Sequence, residues 1–191
     1  MYNVLAISNR KLCTCNFFDK LEEICTLKEK YPNYISSLSI ILREKDLDEV
    51  EYKILAKEAL NICKNYNIDL ILHTHFNVAK ELDIKNIHVS FSILKNNPGL
   101  VKSFKCVGVS IHTIAEAIES QKLGASYIIA GHIFKTDCKK DLEPRGLSFL
   151  NSICNSVNIP VYAIGGINKS NCESVVKCGS YGICLMSSLM K

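Results

Sequence analysis

Three groups of residues in this chain could do chemistry. The richest is Gly131-His132-Ile133-Phe134-Lys135-Thr136-Asp137-Cys138-Lys139-Lys140, which holds an imidazole, a hydroxyl, a carboxylate and three ammonium groups. Histidine titrates near neutral pH and is the usual proton shuttle, so His132 is a candidate acid or base. A lone loop histidine is more often structural, and His73, His75, His88 and His112 compete for the role. The second group is Gly165-Gly166 with Ser187-Ser188. Adjacent glycines let backbone N–H groups approach an anion with no Cβ in the way, and serine hydroxyls add donors. A tight turn would also use Gly-Gly. The third is Arg43-Glu44-Lys45 after an apolar run. Strand alternation puts Ile41, Arg43 and Lys45 on one side, which reads either as a cationic pair at a pocket mouth or as a solvated lead into a helix.

These groups fall at the ends of apolar runs. The runs Tyr2–Ile7, Tyr34–Leu42, Asp69–Leu72, Asn86–Val89, Cys106–Val109, Tyr127–Ala130, Val161–Ile164 and Tyr181–Leu185 read as strands. Between them Asp19–Lys30, Leu47–Asn65, Asn77–Leu82, Thr113–Leu123, Leu147–Asn155 and Ser170–Lys177 show helical spacing. In the longest helix Val50, Ile54, Leu55 and Ile62 form the expected buried stripe. Thr113-x-x-Glu116 reads as a capping box, with Gly124 as a stop. Eight strands that are apolar on both faces and alternate with helices predict a parallel sheet closed as a (β/α)8 TIM barrel over residues 1–191, one domain. The eighth helix is expected to be short or missing, which predicts that a partner subunit or the N-terminal segment covers apolar surface there. Chemistry in such barrels sits at the carboxyl ends of the strands, and phosphate commonly lies after strands seven and eight.

Composition removes several classes. Hydrophobic residues make up 48% and charged residues 22%, enough for one sizeable core, and no run of about 20 apolar residues could span a membrane. The N-terminus lacks the layout of a secretory signal, so a cytoplasmic protein is expected. The net charge of +4 is scattered, aromatics are 8% and tryptophan is absent, which argues against nucleic acid. Ten cysteines contain no C-x-x-C, and they read as reduced thiols rather than a zinc site. No G-x-G-x-x-G follows the first strand and no G-x-S-x-G occurs, so dinucleotide binding and a nucleophile elbow lose their signatures.

Gly108-Val109-Ser110, Gly131-His132-Ile133-Phe134-x-Thr136-Asp137-Cys138-Lys139-Lys140, Arg145-Gly146-Leu147 and Pro160-Val161-x-Ala163-Ile164-Gly165-Gly166-Ile167 resemble the thiamin phosphate synthase/TenI superfamily. Leu42-Arg43-Glu44-Lys45 and Met186-Ser187-Ser188 fit as well. The resemblance implies a (β/α)8 barrel acting on a thiazole phosphate. The superfamily holds two main enzymes. The synthase joins an aminopyrimidine pyrophosphate to a thiazole phosphate, with Mg²⁺ held by an Asp of an Asn-Asp pair after strand three and an Asp after strand four. The tautomerase moves a proton within a carboxythiazole phosphate. Here the pair is His73-Thr74, the segment after strand four is Ser90-Phe91-Ser92-Ile93, Ile41 replaces a Gln, and Gly131-His132 replaces a Gly-Pro. A hard cation wants carboxylates.

The expectation is therefore a thiazole tautomerase without metal or other cofactor. His132 would be its base. Arg43 and Lys45 would hold the substrate carboxylate, with Ser110, Thr136 and Lys139 lining the mouth. Gly165, Gly166, Ser187 and Ser188 would bind phosphate. The alternatives are a Mg²⁺-dependent synthase and a non-catalytic thiazole-phosphate-binding regulator. The expected partner is the small-molecule thiazole phosphate, with self-association and neither nucleic acid nor membrane.

Overall fold

The computed structural model describes residues 1–136 and 142–191. Eight strands close into a barrel in the order β1 to β8, as expected. They are β1 (Tyr2–Ile7), β2 (Ile35–Leu42), β3 (Asp69–His73), β4 (Asn86–Ser90), β5 (Cys106–Ile111), β6 (Tyr127–Gly131), β7 (Val161–Ile164) and β8 (Gly182–Leu185). Pairing is parallel, and residues such as Leu42, Leu72, Ile87, Val109 and Ile128 are fully buried, which is why the strands read as continuous apolar runs. No helix among the described residues is long and apolar enough to cross a membrane. The described cysteines are free thiols.

Two compact units can be distinguished: Met1–His88 with Leu185–Lys191, and Val89–Cys184. In the first, α1 (Phe17–Cys25) starts at Asn16, whose side chain accepts from the N–H groups of Phe18 and Asp19. Thr26 separates α1 from α2 (Leu27–Lys30), so the single expected helix is two. The long helix α3 (Glu49–Asn65) opens on a reciprocal capping box between Asp48 and Glu51. The expected stripe on this helix holds at Ile62 and fails at its other end. Val50 and Ile54 are each 70% exposed and Leu55 is half-buried, while Tyr52, Ala56, Ala59 and Cys63 are buried with Ile62. The helix carries apolar residues on more than one face. The buried face is the one whose small alanines permit close approach and whose Tyr52 hydroxyl finds backbone partners. α4 (Phe76–Glu81) follows β3, and the four-residue α10 (Ser187–Met190) follows β8 and touches the 3-10 turn Arg10–Leu12.

In the second unit two unexpected helices, α5 (Phe91–Asn96) and α6 (Leu100–Ser103), follow β4. Ser90 caps α5 by accepting from Ile93 N–H. α7 (Ile114–Lys122) is capped by Thr113, which accepts from Glu116 N–H, while Glu116 reaches back to His112 N–H at 2.6 Å. α8 (Gly146–Ser156) and α9 (Cys172–Lys177) complete the unit.

Candidate active site

The ends of β2, β3 and β4 bring cations and imidazoles into one row. The register pairs Ile41 with Ile71 and Leu42 with Leu72, and just beyond it Arg43 and His73 follow, close enough for the Arg43 charge to act on the His73 ring. His73 in turn pairs with His88. Residues in register on parallel strands point to the same side, and the two rings stack with centroids 5.9 Å apart. Burial, together with the charges of Arg43 and Lys45, pushes the His73 imidazole down to about 3. His88 is fully buried, and burial lowers it well below the usual imidazole range. Both rings are therefore neutral at pH 7.

The backbone carrying Arg43 is held by a buried carboxylate. Glu44 is 3% exposed, accepts from Ser8 Oγ at 2.7 Å, and takes Arg10 N–H on both oxygens at 3.1 Å. Ser8 Oγ accepts from Arg43 N–H at 2.8 Å. Glu44 faces inward to these donors, which leaves Arg43 half-buried and Lys45 exposed on either side of it. Asp46 pairs with Arg10 and Lys11 at 2.7 and 3.1 Å. From α3, Tyr52 donates its hydroxyl to Leu42 O at 2.6 Å and accepts from His73 N–H at 3.2 Å. Its ring stacks on His75 at 3.9 Å. One buried phenol thus ties together the strand ends that carry Arg43 and His73.

The other expected site residues are carried by other elements. His132 is 5% exposed, and its Nε2 lies 3.2 Å from Leu142 O, where a protonated Nε2 donates. Its own carbonyl accepts from Arg145 N–H at 3.0 Å. Gly165 and Gly166 have φ of +105° and +65°, and a Cβ on Gly165 would lie 2.5 Å from His132 Cβ. A Cβ on Gly166 would lie 2.4 Å from Lys135 O, so chain 132–135 is what needs these glycines close by. Ser110 lies inside β5 and is half-buried, as is Thr136. Ser187 opens α10 half-buried, and Ser188 is exposed. Lys139 lies outside the described residues. In the sequence His73 and His88 are only competitors of His132 for the acid–base role, and Glu44 and Tyr52 carry no assigned role. The available signal was a histidine at or near the end of each of two successive apolar strands.

The positions that the family resemblance gives to Mg²⁺ do not fit a hard cation. Thr74 Oγ1 is engaged with His73 Nδ1 at 2.8 Å, and Ser90 Oγ caps α5. Among the described residues no group of three or more His, Cys, Asp or Glu side chains could hold a metal ion.

A closed barrel with cations and imidazoles gathered at its strand ends defines a (β/α)8-barrel enzyme. The chain belongs to the thiamine monophosphate synthase family, whose model matches residues 4–189. It is 36% identical over 151 residues to a thiamine-phosphate synthase of Clostridium tetani, covering 78% of this chain and 72% of that one. A thiamine-phosphate synthase of Clostridium novyi is 33% identical over 153 residues, covering 78% and 75%. The solved thiamine phosphate pyrophosphorylase from Pyrococcus furiosus superposes with a TM-score of 0.76 at 26% identity, over 99% of this chain and 87% of that one. The N-acetylmannosamine-6-phosphate 2-epimerase from Clostridium perfringens, 11% identical with a TM-score of 0.64 over 98% and 87% of the two chains, shares the fold.

These relatives overturn the expected thiazole tautomerase, since the proteins this chain resembles over most of its length carry the synthase name. The expectation drew an activity from missing carboxylates. A missing ligand pair states which group is absent and does not choose the reaction. The role given to His132 as the base of that isomerisation goes with it.

Proposed function

We propose that the chain is a thiamine-phosphate synthase, a transferase that joins an aminopyrimidine carried as its pyrophosphate ester to a thiazole phosphate. The observation that carries this reading is the 33–36% identity to synthases over most of the chain. In this reaction pyrophosphate leaves with the bonding electron pair, so negative charge grows on the departing group. Preorganised cations aimed at developing charge stabilise it most effectively where water is scarce. Arg43 and Lys45 are those cations. Glu44, Ser8 and Arg10 hold the backbone beneath Arg43, so little reorganisation is needed when charge develops.

The thiazole phosphate is assigned to the backbone N–H groups of Gly165 and Gly166, whose positive φ turns the chain sharply after β7. His132 has a positioning role there: its Nε2 ties chain 142–146 to the loop that packs on Gly165.

The test is direct. Purified protein given the aminopyrimidine pyrophosphate and the thiazole phosphate should form thiamine phosphate and release one pyrophosphate per product. Absence of both products at saturating substrates would overturn the assignment.

A further inference from the structure

The ends of β2 and β3 disagree with the metal chemistry that the family implies. Where the family places a carboxylate after strand three, this chain has Thr74 beside His73, with the charge of Arg43, just past the end of β2, acting on the same ring. We infer that this chain binds the pyrophosphate group of its substrate without a divalent cation, with His73 Nε2, Arg43 and Lys45 meeting the oxygens that a metal would otherwise hold. The inference rests on the synthase reading for the identity of the substrate.

His73 is built to donate. Thr74 Oγ1 lies 2.8 Å from its Nδ1. When that hydroxyl donates, the ring hydrogen sits on Nε2, and an anion selects this tautomer over the other. Nε2 has no partner among the described residues. Ser120 Oγ is the only side-chain nitrogen or oxygen among them that is both buried and unpaired, so Nε2 is not sealed from solvent. The stacked His88 ring at 5.9 Å and the Tyr52 bond to His73 N–H hold the imidazole in place.

The charges favour an anion. A dication brought beside Arg43 and Lys45 is repelled by both, whereas pyrophosphate is attracted by both. Of the two carboxylates next to these cations in the chain, Glu44 is taken by Ser8 and Arg10, and Asp46 by Arg10 and Lys11. A neutral imidazole N–H adds a directed hydrogen bond to a charged oxygen, the stronger kind.

The experiment is calorimetric titration of inorganic pyrophosphate into the protein, once in EDTA and once in Mg²⁺. The dissociation constant in EDTA should be within about threefold of that in Mg²⁺, and His73→Ala should weaken it about tenfold in EDTA, the scale of one hydrogen bond to a charged group. Thr74→Asp restores the family's carboxylate with a residue that tolerates positive φ better than threonine. It should weaken binding in EDTA about tenfold or more and recover part of it with Mg²⁺. Binding by the native chain only with Mg²⁺, no binding in either medium, or unchanged EDTA affinity in His73→Ala or Thr74→Asp would overturn the inference. The synthase reading fails separately. Pyrophosphate bound in EDTA with no thiamine phosphate formed would sink that reading and leave this site standing.

Discussion

Thr74 has a φ of 70°, a region that a β-branched residue seldom occupies. Its N–H donates to His88 O at 2.9 Å and its carbonyl accepts from Phe76 N–H at 2.8 Å, so the turn after β3 imposes the conformation. Such strain costs on the order of 1–3 kcal/mol and gathers at functional sites. Thr74→Asn, which tolerates the left-handed region, should stabilise the protein by about 1 kcal/mol, read from the midpoint of denaturant unfolding. Glycine 165 gives the opposite sign. Alanine there meets His132 Cα at 2.8 Å with φ already at +105°, so Gly165→Ala should cost about 2–4 kcal/mol. A Cβ on Gly99 would have nothing within 4 Å, so Gly99→Ala should fall within about 1 kcal/mol of the native chain in the same assay. In sequence, Gly165-Gly166 reads as an anion cradle in preference to a mere tight turn. The close approach of chain 132–135 is a tertiary contact, and periodicity carries no record of it.

At the scale of elements, α3 couples the strand ends that carry the proposed pyrophosphate site. Tyr52→Phe keeps the ring against His75 but leaves Leu42 O without the phenol donor and His73 N–H without its acceptor. The expected loss is about 1–3 kcal/mol of stability, the cost of unpaired buried backbone groups. Pyrophosphate affinity should fall with it, since the ends of β2 and β3 lose their common tie. Calorimetry on a variant shown folded by circular dichroism checks the second part, and an unchanged affinity would separate Tyr52 from the site. The existence of α3 and its length were legible from spacing. Its buried face was not. Hydrophobicity alone ranks Val50 and Ile54 above Ala56 and Ala59, while close approach to the sheet ranks them the other way. Helices α5 and α6 escaped for a related reason: each is too short to show a full period, and only the Ser90 cap marks the first.

At the scale of the whole molecule, the two neutral imidazoles set an acid limit. His73 and His88 are held below their ordinary values in the folded protein, His73 at about 3. The unfolded chain takes up protons at both below about pH 6.5, where the folded chain does not. Stability is therefore complete above that pH and falls on acidification, by up to about 1.4 kcal/mol per pH unit for each imidazole. Glu44 is raised by burial and works the other way, because the folded state protonates it first. Melting temperatures across pH 7 to 4 should fall, with a shallower slope in His88→Gln; a slope unchanged in that variant would count against the assignment. The amino-acid sequence by itself determined the barrel, the order of its strands and the family. Those follow from apolar runs that alternate with amphipathic stretches and from motifs contiguous along the chain. Tertiary structure decided which side chains meet. Arg43, just past β2, and His73 and His88, on β3 and β4, lie 30 and 15 residues apart in sequence and act on one another only when the fold aligns these strand ends. Only that alignment set cations and neutral imidazoles beside the position where the family resemblance implies a carboxylate.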